Sequence, residues 1–372
     1  MLPYTGDYIE HIEPGKNSLK FYSFTPRPLM RGNIYQMDDE LAMLLIDAHR
    51  NIGFLEGLIK YAPNKEAFAE LMLLKECTYS RMIDYDNPDF KEVLTSRGTA
   101  KGNISPIIDL EAAYRAALNM EICAPDLSRI CGIALYGESE DNPMSVRDHQ
   151  TFWLGAKTNL KGYNPTAPDA VLPALADISA YLYNDKKTDP LIKAALVHYQ
   201  FEMIHPFERY NGIVGRIIVP MMLSDIAREA KLLICLSEYL YHNKNEYFDL
   251  LRSTQYSGGY IRWIKFFVNA VGEVAKKSAK LMTQYERIIA LDEHRLTEIG
   301  KSTKSIFEIY NYLKDTPITT ITVAERNLGF SFNTVSKLFH SLQGYGIVEC
   351  HLPSYRNRVF RYSELENLIC AD

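Results

Sequence analysis

The chain has 372 residues, 47% of them hydrophobic and 23% charged, with a formal net charge of -5. This balance provides for a sizeable core and, from length, two or three domains, while the slight acidity excludes a chain coated for general nucleic-acid binding. Six cysteines without a CxxC pair exclude a disulfide framework or a thiolate zinc site. No apolar stretch reaches bilayer length, and the opening "MLPYTGDYIEHIEP" lacks a signal-peptide pattern, so a soluble, cytoplasmic protein with no membrane partner is expected.

Residues 1–33, rich in Pro, Gly and Tyr, read as extended. From Asp38, a fair N-cap, "DDELAMLLIDAHRNIGFLEGLI" sets Leu41, Leu44, Leu45 and Ala48 on one helical face. "NKEAFAELMLLKECTYSRMID" is a second helix, which Asn64 is placed to cap. "PIIDLEAAYRAALNMEI", "VLPALADISAYLYN" and "DPLIKAALVHYQFEMIHPF" follow, then "GIVGRIIVPMMLSDIARE". The run from Tyr260 to Gly300 is one long helix or a broken pair. Residues 34–290 thus read as one mostly helical domain, interrupted by "WLGAKTNLKGYNPTAPDAV" at 153–171. A Gly- and Pro-rich loop of that length is a short hairpin or flap. After Gly300, short helices followed by a Gly-Tyr-Gly turn and two β-rich runs give the order of a winged helix-turn-helix.

The chemistry concentrates in "HPFERYNGIVGRII", His205 to Ile218. Pro206 ends the preceding helix at His205. Asn211 and Gly212 tolerate positive φ and make a turn, after which an apolar helix resumes. Backbone N–H groups at that helix start form a ready phosphate site, and Arg216, one turn in, faces the same anion. His205 at the rim suits a general base. A histidine before a proline at a helix end also serves simply as a cap or a core hydrogen-bonding residue.

The segment resembles the signature of the Fic (Fido) family, HPFx(D/E)GNGRxxR. "NIGFLEGL", "RDHQTFWLG", "HYQFEMIHPF", "LSEYLYHNKNEYFDLL" and "GGYIRWIKFFV" resemble further family segments in order. The resemblance implies a mostly α fold: a Fic-fold helical core with a small β-hairpin flap near residues 160–168, plus a C-terminal winged helix-turn-helix. It divides the chain into 1–120, with an inhibitory helix, 121–295, the core, and 300–372. It implies transfer of AMP from ATP to a Ser, Thr or Tyr hydroxyl of a target protein, with Mg²⁺, and a tendency to form homodimers. His205 would be the base; Asn211, Gly212, Gly215 and Arg216 would hold phosphates. Tyr247 and Phe248 align with a pair that holds the base, and equally fit a helix core.

The departures are specific. The acidic metal-binding position is Arg209, which cannot ligate a cation but can pair with phosphate oxygens. The family glycine is Tyr210, and the first family arginine is Ile213. Glu208, one place early, is the remaining candidate metal ligand. These changes leave a second reading open, a catalytically weakened nucleotide-responsive regulator. The inhibitory pattern (S/T)xxxE(G/N) becomes "SRMIDY", with Ser80 and Asp84 placed to occlude Arg216. In residues 301–372 eight Lys and Arg meet seven Asp and Glu. Arg356, Arg358 and Arg361, interleaved with Tyr355 and Phe360, offer a wing for DNA phosphates, or the unit serves protein contacts.

Overall fold

A computed structural model describes residues 5–12, 20–30, 34–138, 142–152, 164–298, 304–351 and 358–371. The extended N-terminal arm is an antiparallel hairpin of β1 (Gly6–Ile12) and β2 (Lys20–Pro26), with Tyr8 opposite Phe24. Its outer edge is tied to the chain beyond the expected flap. Phe24 N donates to the Asn164 carbonyl at 3.1 Å, and Thr166 Oγ1 donates to the Phe24 carbonyl at 3.1 Å. The flap expected over 160–168 falls partly on 153–163, outside the described residues; residues 164–167 carry no strand.

The helical body comprises α1 (Asp39–Tyr61), α2 (Lys65–Asp84), α3 (Phe90–Thr99), α4 (Ser105–Ala117), α5 (Ala124–Tyr136) and α6 (Pro168–Asn184). It continues with α7 (Pro190–Ile204), α8 (Asn211–Leu223), α9 (Leu236–His242), α10 (Lys244–Ser257) and α11 (Tyr260–Glu298). Asp38 caps α1 as expected, its carboxylate accepting from Leu41 N at 2.8 Å. Asn64 stands before α2 but does not cap it. Its side chain donates to Glu286 at 2.8 Å and accepts from Lys314 at 2.8 Å, so a tertiary bridge takes precedence over the local cap. Tyr260 to Glu298 is a single helix, and its inner face packs along α1.

Helices α7 and α8 run through the centre of the molecule. Every residue of α7 from Ala194 to Ile204 is buried, and α8 is buried on nearly all sides. Trp263 of α11, fully buried, donates to the Ala195 carbonyl of α7 at 2.8 Å. A polar donor at that depth requires such a partner. This rigid pair fixes the segment between them, residues 205–210.

Beyond α11 come α12 (Lys304–Asp315), β3 (Ile318–Thr320), α13 (Ile321–Leu328), α14 (Phe332–Gly344), β4 (Glu349–His351), β5 (Val359–Arg361) and α15 (Ser363–Cys370). The strands form an antiparallel sheet in the order β3-β5-β4. Two residues expected on a phosphate-binding wing are otherwise engaged. Arg361 pairs with Glu366 at 2.7 Å, and Phe360 is fully buried against Phe339 with ring centroids 4.4 Å apart. Tyr355 and Arg356 lie outside the described residues.

Candidate active site

Helix α7 stops at Ile204, and His205 turns out of it in the left-handed region, φ 53°. The following Pro206 disfavours the α region there and so fixes the helix end. Arg147 holds this corner. Its Nε donates to the His205 carbonyl at 2.7 Å, its Nη2 to those of Ile204, at 3.1 Å, and Thr166, and its Nη1 to that of His149 at 3.0 Å. Its own N–H reaches the Pro206 carbonyl at 2.9 Å. A cation at the C-terminal end of α7 complements the helix dipole as well as the exposed carbonyls. Burial pushes Arg147 down to about 10, so it stays charged at neutral pH. Nothing in the sequence pattern assigns Arg147 this role, although it opens the quoted "RDHQTFWLG".

The His205 ring is half-buried, with Nδ1 3.3 Å from the Glu202 carbonyl. Desolvation, with a smaller push from Arg147 and against the Glu202 carbonyl and Asp84, lowers its pKa to about 4. The ring is therefore neutral at neutral pH. With Nδ1–H donated to Glu202, Nε2 is the lone-pair nitrogen available to take a proton.

The turn before α8 differs from the sequence expectation. Positive φ falls on Tyr210, at 67°, while Asn211 and Gly212 are already helical. Tyr210 thus occupies the position of the family glycine in the conformation a glycine would favour. A non-glycine residue in this region costs about 1–2 kcal/mol. Arg81 of α2 offsets the strain, donating from Nη1 to Tyr210 Oη at 2.6 Å and lying over the rings of both Tyr210 and Tyr85. The side chain of Asn211, a residue expected to hold phosphate, braces the loop. Its Oδ1 accepts from Phe207 N and its Nδ2 donates to the Phe207 carbonyl, both at 2.8 Å. The N–H groups of Asn211, Gly212 and Ile213 precede the first intrahelical bond, from Val214 N to the Tyr210 carbonyl at 2.9 Å. The helix start is thus a donor cluster, as expected.

Arg216 is 1% exposed and fully engaged with α2. Nε donates to Ser80 Oγ at 2.8 Å, and Nη2 to the Ser80 carbonyl at 2.8 Å and to Asp84 Oδ2 at 2.5 Å. Burial opposes the guanidinium charge, but Asp84 above all, with Tyr247 and Glu202, raises its pKa. Gly212 makes room for this pair: a Cβ there would stand 2.9 Å from Asp84 Oδ2 and 3.0 Å from Arg216 Nη1. Gly215, also expected at the phosphates, is buried away from the cavity. Its carbonyl lies 2.9 Å from His198 Nδ1, and a Cβ would meet Glu202 Oε1 at 2.3 Å.

These groups surround a cavity of about 290 Å³, which Glu202, His205, Asn211, Gly212, Arg216 and Asp84 line together. Tyr247 and Phe248 form part of its wall, and Glu208 and Arg209, both exposed, sit at its rim. Tyr247 is simultaneously core. It is 1% exposed, and its hydroxyl lies 2.9 Å from His198 Nε2. Glu202 is the second residue missed from sequence. It sits on α7 three residues before His205, where it reads as an ordinary helix position.

The donor set does not fit Mg²⁺. The acidic position carries Arg209, Asp84 is committed to Arg216, Glu202 is buried, and Glu208 points from the rim without acidic neighbours. Among the described residues no group of three or more His, Cys, Asp or Glu side chains gathers to hold a metal ion. At a nucleotide Mg²⁺ takes one or two protein carboxylates besides phosphate and water oxygens, and the position that would supply one carries Arg209.

Residues 124–223 match the sequence profile of the Fic/DOC family. Over 64 residues, 16% of this chain and 12% of the relative, the chain is 38% identical to protein adenylyltransferase fic-1 of Caenorhabditis briggsae. Over 113 residues, 30% of this chain and 31% of the relative, it is 29% identical to the probable protein adenylyltransferase aq_aa38 of Aquifex aeolicus. The chain thus spans about a third or less of the length of these curated relatives. The fold is similar to that of a Fic family protein from Desulfovibrio desulfuricans G20, with a TM-score of 0.56 at 14% identity over 89% of this chain and 98% of that one. Among the described residues no helix is long and apolar enough to cross a membrane. The matched segment begins at α5 and ends with α8, enclosing His205, the donor cluster and Arg216, and so this chain carries a Fic/DOC family domain over residues 124–223.

Proposed function

We propose that this chain transfers AMP from ATP to a Ser, Thr or Tyr hydroxyl of a protein, and that Asp84 holds it in check. The observation carrying this reading is the cavity that places a neutral His205 beside the α8 donor cluster and the buried Arg216. In the proposed reaction the hydroxyl oxygen attacks the α-phosphorus, its proton passes to His205 Nε2, and the bond to the β-phosphate oxygen breaks to release pyrophosphate. The chain's own contribution is positioning and charge neutralisation. The N–H groups of α8 and Arg216 take phosphate oxygens, Arg209 supplies a second cation from the rim, and no step passes through a metal. Tyr247 and Phe248 are placed to flank the base.

The inhibitory element is α2. Asp84 neutralises the arginine that phosphate would use, and Ser80 fixes the angle of that arginine. The test is incubation with α-labelled ATP and a lysate of candidate targets. Transfer by the chain with Asp84→Gly, absent with His205→Ala, supports the reading. ATP binding without transfer in the presence of accepted Fic targets would point instead to the nucleotide-responsive regulator.

A further inference from the structure

Glu202 is 2% exposed, and its Oε1 has no hydrogen-bond partner. Buried polar atoms are nearly always paired, so an orphan oxygen on a residue that lines the cavity points at a missing partner there. Gly215 leaves space for this oxygen, a Cβ there falling 2.3 Å from it. The groups around it are Arg216 on α8, Asp84 on α2, Tyr247 on α10, and His198 and His205 on its own helix. His198 Nε2 is 4.0 Å from Oε1 and forms no ion pair with it, because burial lowers the pKa of His198 to about 4. Desolvation raises the Glu202 carboxyl to about 8, with Arg216 opposing and Asp84 assisting.

A protonated carboxyl has what a carboxylate lacks, an O–H to donate. Phosphate oxygens only accept, so an ionised Glu202 would repel them and a neutral one would bind them. Taking the pocket as a nucleotide site, as under the proposed function, we propose that Glu202 acts as a neutral carboxylic acid, donating a hydrogen bond to the nucleotide phosphate held by Arg216. Once Asp84 withdraws, Arg216 loses its counter-charge and Glu202 ionises to supply one. An arriving phosphate replaces that counter-charge, and Glu202 takes up a proton from solvent. Binding is therefore coupled to proton uptake at this carboxyl, beside two imidazoles, His205 on the cavity and His198 behind it, that are already neutral.

The experiment is calorimetry of ATP binding to the Asp84→Gly chain near pH ~7.5, below the Glu202 value and above the last phosphate ionisation, in buffers of different ionisation enthalpy. Uptake of up to about three-quarters of a proton per ATP is expected, with affinity falling by up to about tenfold per pH unit between the free-state and bound-state pKa values. Adding Glu202→Gln, which keeps a neutral donor, should abolish the uptake and flatten the pH profile while leaving affinity at about pH 6.5 within about threefold. Adding His205→Ala should preserve the uptake. ATP binding with no proton uptake by the Asp84→Gly chain, a result that needs no Glu202 variant to fold, overturns the inference. Equal uptake with and without Glu202→Gln overturns it as well. An Asp84→Gly chain that melts cooperatively but binds no ATP at any pH overturns the nucleotide reading itself.

Discussion

Removing the Asp84 carboxylate should move stability and ligand affinity in opposite directions. Arg216 is fully buried, and its partners are two Ser80 groups and Asp84 Oδ2 at 2.5 Å. Stripping one partner from a buried pair costs about 3–5 kcal/mol, chiefly by leaving a buried charge uncompensated. The Asp84 side chain is 27% exposed, so water reaches the gap and the discounted figure is about 1–3 kcal/mol. Asp84→Gly should therefore lower the melting temperature of the ligand-free chain by about 1–4 °C. Phosphate then meets a guanidinium freed of Asp84, and ATP should bind about 10–100-fold more tightly than to the parent chain, a gain of about 1.4–2.7 kcal/mol. Saturating ATP should recover most of the lost stability. Thermal melts with and without ATP, together with calorimetric affinities, read all three effects. A variant that melts with the parent and binds ATP no better would refute the role assigned to the pair.

Other perturbations test the scaffold of the site. Tyr210→Phe removes only the hydroxyl that accepts from Arg81 at 2.6 Å, and should cost about 1–2 kcal/mol in urea unfolding. Tyr210→Gly relieves the left-handed strain but also loses ring contacts with Tyr85 and Arg81, and should remain net destabilising by about 1 kcal/mol. Arg147→Lys keeps the charge but not the planar fork, stranding several carbonyls at the His205 corner; a loss of about 2–4 kcal/mol by denaturation is expected. For pH, His198 and His205 have folded pKa values lowered to about 4, so between there and about 6.5 the unfolded chain binds more protons and stability rises with pH. Glu202, raised to about 8, does the reverse, its contribution present below its unfolded pKa and lost as pH climbs through about 8. Melting temperature should then decline between about pH 6.5 and about pH 8 in the parent and stay level with Glu202→Gln; an unaltered decline would remove Glu202 as its source.

Legibility in the sequence follows the range of the interactions involved. Local signals serve well. Asp38 caps α1, and Pro206 ends α7 at the residue before it. Four helices, α3, α5, α9 and α10, escape the chain-order reading, although the first two carry terminal signals. Helix α3 has a complete Asp89–Glu92 capping box, and α5 has a proline in its first turn. Long-range partners are not legible. Asn64 looks like a cap because nothing local reveals Glu286 or Lys314. The Asn-Gly dipeptide marks itself as the positive-φ site, yet the strain moves to Tyr210 because Arg81, 129 positions earlier, holds its hydroxyl. Glu202 and Arg147 gain their properties from burial among distant elements, and composition carries no trace of that.

The three motif departures are consistent with one another once their positions are known. Ile213 is fully buried, in the apolar layer beneath α8. Arg209 is exposed at the cavity rim, where a cation stays hydrated and can face an arriving anion. On the proposed reading, an arginine lost at position 213 and an acid lost at position 209 together leave two cations, Arg216 on the floor and Arg209 at the mouth. On that reading the pocket offers an anion two guanidinium groups, a helix N-terminus and the neutral His205 imidazole, with Asp84 as the removable counter-charge. The carboxylates near the cavity are otherwise placed: Asp84 is bonded to Arg216, Glu202 is buried, and Glu208 is exposed at the rim. An anion clamp requires only what is present, and Tyr210 in the glycine position ties its geometry to α2, the same helix that carries Asp84.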